Sequence, residues 1–262
     1  MLLDLDGAAM MPKVILIGAG RGSRLMTLTT SQPKSFTPIL SKRILDWTLE
    51  AFRANNLDDF VFISGYLKNV IEAEYPNFTF AENMDWENNN ILFSLLTARD
   101  HLKNGFYATY TDTLFQASAI ASLKQSTHDI TLIMDTEWRK RYKFRSQHPE
   151  SDGEKMITEG DQVIRISREI DPGKASGEFT GVIKMTKKGA QQFLEFFDRL
   201  HMTLGPDGNF DESKPFRKAY LIHQLDRMIK AGISIHHVSV PGEYHEIDTL
   251  EDYDLACRLW KG

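Results

Sequence analysis

The stretch from Lys13 to Lys34, KVILIGAGRGSRLMTLTTSQPK, holds the residues whose chemistry is easiest to read. Gly18, Gly20 and Gly22 alternate with Ala19 and Arg21, and Ser23 and Arg24 follow. Glycines in a tight turn let the backbone take positive φ and approach a ligand closely. Successive N–H groups in such a turn converge on a concave anion site. Arg24 adds a planar fork of donors suited to phosphate oxygens, and Lys34, behind Pro33, adds a point charge. Backbone donors, a guanidinium and an ammonium in one loop suit a triphosphate.

The element that presents this loop is the apolar run 14–17, VILI, which reads as a short strand buried on both faces. Three loop patterns compete. The dinucleotide fingerprint needs G-x-G-x-x-G and an acid about 20 residues on; here the glycines run G-x-G-x-G, and Asp58 and Asp59 lie too far downstream. A P-loop needs a lysine where Ser23 stands. The third pattern is a strand, then G-x-G-x-G-S-R, then Pro33-Lys34 beginning nine positions beyond Arg24, and it fits without a gap. A plain glycine turn with a surface Arg and Lys is the bland alternative. The spaced Arg24 and Lys34 favour the functional one.

The 262 residues allow one large α/β domain or two small ones. Hydrophobic content of 42% and charged content of 26% are those of an ordinary globular chain. A net charge of −5 argues against a general polyanion binder, so no nucleic-acid partner is expected. A single cysteine, Cys257, excludes an internal disulfide framework and fits a reducing compartment. No apolar run approaches the ~18 residues of a membrane span. MLLDLDGAAMM carries acids and no basic region, unlike a signal peptide, so a cytoplasmic protein with no membrane partner is expected. Residues 1–12 read as an N-terminal tail, or as sequence ahead of a natural start at Met10 or Met11.

Further along, strands are expected at 59–64, 78–81, 106–110 and 130–134, with helices at 44–55, 67–75, 91–102 and 117–124 between them. Asn90 is placed to cap the helix that follows it. This alternation predicts an α/β fold: a Rossmann-like, mixed but mainly parallel sheet with helices on both faces. From Trp138 the grain changes. WRKRYKFR is basic and aromatic, a polar turn region follows, and strands are expected at 163–167, 179–185 and 233–240. Helices are expected at 187–201, 214–231 and 251–260. The chain reads as one domain, 13–262, with a lid-like insertion over about 136–178.

The resemblance extends beyond the first loop. The strand–G-x-G-x-G-S-R…P-K pattern resembles the signature of nucleotidyltransferases. Ser64-Gly65-Tyr66-Leu67-Lys68, Asn89-Asn90 with Ser94-Leu95, Thr111-Asp112-Thr113-Leu114-Phe115 and the stretch from Tyr244 to Tyr253 resemble, in order, segments of bacterial phosphocholine cytidylyltransferases of the LicC type. The resemblance implies the nucleotide-diphospho-sugar transferase type of fold. Lys34 and Arg24 become the catalytic cations. Gly18, Ala19, Gly20, Arg21, Gly22, Ser23, Gly65, Tyr66, Asn89 and Asn90 become the nucleotide-binding set. Asp112 and Asp248, 136 positions apart, match the two metal-binding aspartates. Mg²⁺ is the implied cofactor, since it takes one or two carboxylates plus phosphate oxygens. Asp248 with Glu251 also resembles a capping box for the last helix.

An ionised phosphate acceptor is already a nucleophile, so no general base is required and no histidine is assigned. His236 and His237 are neighbours on one strand and face opposite ways. Asp135, Trp138, Tyr142 and Glu178, with Glu137 and Phe144 beside them, are candidates for acceptor binding, since aromatic faces and a carboxylate attract an ammonium. The same aromatics could simply pack the insertion. The resulting expectation is a Mg-dependent cytidylyltransferase joining CTP to a small amine-bearing phosphate or phosphonate, of the phosphocholine or 2-aminoethylphosphonate type, with release of pyrophosphate. The alternatives are a sugar-1-phosphate nucleotidyltransferase and a non-catalytic nucleotide-binding regulatory module. A homo-oligomer stays open.

Overall fold

Strand β1 (Lys13–Ile17) sends Ile15 and Ile17 into one apolar layer and Val14 and Leu16 into another. Side chains alternate across a strand, so a continuous apolar run serves both faces of a sheet. In the computed structural model, which describes residues 12–211 and 214–262, β1 is flanked in parallel by β2 (Phe60–Ser64) and β4 (Phe106–Tyr110). Strand β3 (Thr79–Glu82) extends the edge beyond β2, also in parallel. Among the described residues, the expectation of a tail over 1–12 reaches only Pro12.

Further strands are β5 (Thr113–Phe115), β6 (Ile130–Asp135), β7 (Lys155–Glu159), β8 (Gln162–Ser167), β9 (Gly177–Met185), β10 (His236–Val240) and β11 (Tyr244–Glu246), besides two small ladders, Pro38–Ile39 with Lys42–Arg43 and Asn209–Asp211 with Lys214–Pro215. Nine of the strands form one sheet in the order β3-β2-β1-β4-β9-β6-β10-β8-β7. Strand β9 runs antiparallel to both β4 and β6, while β10 is parallel to β6. The fold is therefore the expected mixed α/β sheet. Helices Ile91–Thr97, Lys187–Leu204 and Leu221–Lys230 cover one face through Leu95, Phe193 and Leu225. Helices Ile44–Arg53, Lys68–Glu74 and Ala117–Gln125 cover the other through Phe52, Ile71 and Ile120. Each such fully buried side chain contributes roughly 1.5–3 kcal/mol relative to exposure.

The structure departs from expectation in four places. The region expected as an insertion adds β7 and β8 to the far edge of the main sheet, and β7 was not anticipated. The expected helix over 91–102 divides at Ala98 into Ile91–Thr97 and Arg99–Leu102. The expected helix over 214–231 begins only at Leu221; Lys214–Pro215 is extended and Phe216–Lys218 is a short 3₁₀ turn. The ring of Pro215 disfavours the helical region for the residue before it. The last helix, Leu250–Leu259, is capped by Thr249 and Asp252 in a reciprocal box, not by Asp248 and Glu251. Glu251 instead accepts from the backbone N–H of Ser146 and Gln147. Asp248 is thereby released from capping.

Two short segments outside the main sheet matter most for position. Strand β5, just past the end of β4, pairs antiparallel with β11, and Ile247 N–H donates to the Asp112 carbonyl at 2.9 Å. Leu25, Leu114, Ile247 and Trp260 form a separate apolar cluster beneath this ladder, with Cys257 packed at its margin. The carboxylate ends of two distant strands are thus locked side by side.

Candidate active site

At the C-terminal ends of β1 and β4 lies a cleft of about 290 Å³. Ligands in open α/β sheets bind at this end of the strands. Gly18, Gly20, Gly22, Arg24 and Lys34 line one wall, with Asn90, Tyr110, Asp112, Glu246 and Asp248 around it. Gly22 has φ +65°, and a Cβ there would come within 2.7 Å of the Lys34 side chain, so the loop can pass close to Lys34 only as glycine. The Ala19 carbonyl accepts from Tyr66 N–H at 2.9 Å, which staples the glycine loop to the Gly65 turn. The Arg21 guanidinium lies 5.5 Å from the Tyr66 ring centre. Ser23 is exposed and opens a short 3₁₀ turn.

Lys34 is the hub. Its Nζ lies 2.6 Å from Asp112 Oδ2 and also bonds Asp248 Oδ1. Arg24 reaches the other oxygen of Asp248 while half of its side chain stays in solvent. Burial alone would lower the Lys34 pKa, but Asp112 and Asp248 outweigh it and hold the ammonium above its usual value. Burial likewise opposes the charged form of Asp248, and Lys34 and Arg24 overcome it, keeping that carboxylate ionised well below its ordinary range. Glu246, two residues before, forms no hydrogen bond to Lys34 or Arg24; burial, with Asp248, Asp112 and Glu178 nearby, outweighs the pull of Lys34 and pushes its carboxyl well above the usual range.

A hard divalent cation takes carboxylate and phosphate oxygens. Asp112 Oδ1 is buried without a hydrogen-bond partner, and Asp248 stands across Lys34 from it. That oxygen-only pair suits Mg²⁺. His148, Glu246 and Asp248 form an adjoining group whose potential ligand atoms lie within 4.8 Å of one another. Sequence spacing assigned no role to His148. The sheet also brings His236 against His128, ring centres 3.5 Å apart, beside Asp161; spacing along the chain could not show that grouping.

Of the candidates from the sequence, Gly18, Gly20, Gly22, Arg24, Lys34, Asn90, Asp112 and Asp248 line this cleft, and the others do not. Asn90 lines it while its side chain caps Ile91 N–H at 2.8 Å. Asn89 is instead tied up with Asn83, each amide donating to the other at 2.8 Å. The acceptor set needs correction. Asp135 is fully buried and holds Arg141 together with the N–H groups of Glu137 and Gly242. Trp138 is 2% exposed and packs edge-on against Tyr142, whose hydroxyl donates to Glu178 at 2.5 Å. Arg141 bridges Asp135 and Glu178. Asp135, Trp138 and Tyr142 are therefore parts of a buried strut between β6 and β9. Arg139 lies 5.5 Å over the Trp138 ring and Arg145 5.0 Å over the Tyr142 ring. Phe144 is exposed, and of the four acceptor candidates only Glu178 lines the small chamber that adjoins the cleft.

What sequence reasoning missed is the wall opposite the glycine loop. Glu154 and Arg168, joined at 3.2 Å, line the cleft with Tyr110, whose hydroxyl donates to Glu154 at 3.3 Å. A bulge in β9 makes this possible: Gly181, φ +78°, leaves room for the Tyr110 ring, which a Cβ would meet at 2.4 Å. The polar run containing Glu154 gave no periodic signal of a buried acid.

Residues 13–91 match the Nucleotidyl transferase family. The chain is 22% identical to the CTP:phosphoglutamine cytidylyltransferase of Campylobacter jejuni over 93% of its own length and 98% of that protein's. It is 23% identical to the choline-phosphate cytidylyltransferase of Streptococcus pneumoniae over 95% and 98%. Its fold is that of the inositol-1-phosphate CTP transferase of T. maritima, with a TM-score of 0.71 at 20% identity over 94% and 95% of the two chains. Fold, glycine loop and relatives together define an enzyme of the nucleotidyltransferase type. Both of these sequence relatives, matched over nearly their full length, are cytidylyltransferases. No helix among the described residues is long and apolar enough to cross a membrane.

Proposed function

We propose that this enzyme transfers a cytidylyl group from CTP to a small amine-bearing phosphate or phosphonate, with Mg²⁺ as cofactor and pyrophosphate as product. The observation that carries the reading is the placement of Lys34 between Asp112 and Asp248 at the foot of the glycine loop. The choice of CTP rests on the two full-length relatives, both cytidylyltransferases.

The glycine loop offers backbone N–H groups to the triphosphate. Arg24, half in solvent, is free to leave Asp248 for phosphate oxygens. Lys34 holds the α-phosphate and stabilises the charge that builds there as an acceptor oxygen attacks in line. The acceptor's phosphate oxygen forms the new P–O bond and the bond to pyrophosphate breaks. No proton has to be removed from an ionised phosphate. Asp112 and Asp248 would hold Mg²⁺, which supplies charge screening on the reacting phosphates. The single, half-buried Cys257 and the absence of a disulfide framework suit a cytoplasmic reaction.

The test is product identification. Incubation with CTP, Mg²⁺ and phosphorylated acceptors should yield a CMP-linked conjugate by mass spectrometry. Formation only of nucleotide sugars, with sugar 1-phosphates as acceptors, would replace this reading by the sugar-phosphate alternative.

A further inference from the structure

The end of the sheet opposite the cleft carries a second group of side chains with metal-binding chemistry. His128 stands two residues before β6, His236 opens β10, and Asp161 sits in the turn between β7 and β8. Strands β6 and β10 run parallel, so both histidines lie at their N-terminal ends, away from the glycine loop. The two imidazole rings stack with centres 3.5 Å apart and planes 1° from parallel. Both turn toward one carboxylate: His128 Nε2 lies 2.9 Å from Asp161 Oδ2, and His236 Nδ1 lies 3.4 Å from Asp161 Oδ1. One ring nitrogen from each histidine and one Asp161 oxygen stand within 4.8 Å of one another.

A proton does not account for this arrangement. A proton on His128 Nε2 satisfies that ring and one oxygen of Asp161, but His236 Nδ1 is buried and makes no hydrogen bond. Protonating both rings would stack two cations face to face, and like charges that close disfavour each other. A divalent cation answers all three atoms at once. Zinc takes imidazole nitrogen at about 2.0–2.1 Å and carboxylate oxygen at about 2.0–2.2 Å, so tetrahedral ligands stand about 3.4 Å apart. The spacings between the two rings and Asp161 are of that size. The donor set is also unlike that of the cleft. Two imidazoles suit a borderline transition metal, whereas the oxygen-only pair of Asp112 and Asp248 suits Mg²⁺.

The segments that carry the ligands are held in place. The Gly160 carbonyl accepts from His237 Nε2 at 3.2 Å, and the Asp161 carbonyl from His237 N–H at 2.9 Å, which pins the turn against β10. Ser126 Oγ accepts from His128 N–H at 3.3 Å and bonds Thr131 Oγ1 at 2.7 Å, which fixes the approach to β6. We propose that His128, Asp161 and His236 bind one divalent transition-metal ion of the zinc class, with water on the exposed side. The ion fastens the β7–β8 hairpin, whose ends carry Glu154 and Arg168, onto β6 and β10. The site is independent of the transfer reaction at the other end of the sheet.

The experiment is calorimetric titration of untagged, metal-stripped protein with Zn²⁺ in excess Mg²⁺, which occupies the cleft carboxylates. Wild type, Asp161→Asn, His236→Gln and Asp112→Asn are compared, each with a melting temperature in the presence and absence of Zn²⁺. Wild type should bind one Zn²⁺ per chain at micromolar concentration and melt higher with it, since an ion that binds the folded chain stabilises it. Asp161→Asn and His236→Gln should each lose at least tenfold in Zn²⁺ affinity, together with that rise in melting temperature. Asp112→Asn should bind Zn²⁺ as wild type does. Asp161 is exposed, so Asp161→Asn decides the matter even if His236→Gln fails to fold. Unchanged affinity in either folded site variant would overturn the proposal. So would loss of Zn²⁺ binding in Asp112→Asn, which places the ion in the cleft, or binding by wild type only at millimolar Zn²⁺.

Discussion

Lys34 Nζ lies 2.6 Å from Asp112 Oδ2, and the same ammonium reaches Asp248, so one cation joins acids that the chain carries 136 residues apart. The pairing depends on β5 and β11 zipping together immediately beyond Asp112 and before Asp248. Replacing this cation should cost much of the rate. Lys34→Met keeps the apolar stem and removes the charge. Its kcat should fall about a hundredfold or more, the scale of losing one positioned electrostatic contact. Single-turnover kinetics on the folded variant checks this, and turnover within a few-fold of wild type would contradict it.

Divalent metal should be obligatory. Asp112 Oδ1 lies buried without a partner, and Asp248 is held ionised by Lys34 and Arg24. Excess chelator is expected to stop turnover, and added Mg²⁺ to restore it. Asp112→Asn should weaken Mn²⁺ binding in the presence of CTP, read by electron paramagnetic resonance. Full turnover in excess chelator would refute this requirement.

Trp138 and Arg141 should matter for stability and not for acceptor choice. Trp138 is buried against Tyr142, so Trp138→Ala should cost about 3–5 kcal/mol, as for other large-to-small core changes. Arg141 bridges Asp135 and Glu178, both nearly or fully buried. Arg141→Met leaves two buried carboxylates unanswered and should cost about 3–5 kcal/mol. Urea unfolding measures both. A change in the ranking of acceptors by Trp138→Ala, with stability unaltered, would return Trp138 to the binding site.

These residues show where sequence reading succeeds and where it stops. The glycine loop, Arg24 and Lys34 were legible because a short apolar strand, a turn and spaced cations sit within one local segment. Strands β1, β2 and β6 were legible for the same reason: each buries a nearly continuous apolar run. The approach of Asp248 to Asp112 was readable only through resemblance, because a two-stranded ladder of three residues a side carries no distinctive periodicity. The aromatics near Trp138 misled because an aromatic beside an acid looks the same in sequence whether it lines a pocket or packs a strut. The direction was set by Arg141, which turns inward to satisfy two acids. Glu154 and Arg168 escaped notice because the β7–β8 hairpin brings them together at the cleft: Glu154 ends a stretch that reads as polar turn, and Arg168 follows directly on the expected strand at 163–167.

His245 should make folding sensitive to acid. Burial, with Arg141 and Arg145 nearby, lowers its pKa to about 4. Between pH 6.5 and 4 the unfolded chain binds a proton that the folded chain refuses, so this residue's contribution is complete above pH 6.5 and is lost as pH falls. The full contribution is on the order of 3 kcal/mol. Glu246, raised by burial, acts in the opposite sense, so the comparison must isolate His245. Urea unfolding at pH 7 and pH 4.5 should show a larger loss for wild type than for His245→Gln. Equal losses would refute the assignment.

The most direct test of the whole account is a competition among CTP, UTP, GTP and ATP in the presence of Mg²⁺ and 2-aminoethylphosphonate or phosphoethanolamine, read by pyrophosphate release. The account predicts that CTP is consumed fastest, with one pyrophosphate released per CMP-linked product. If no nucleotide releases pyrophosphate with either amine, while UTP does so with glucose 1-phosphate, the cytidylyl-transfer account is contradicted.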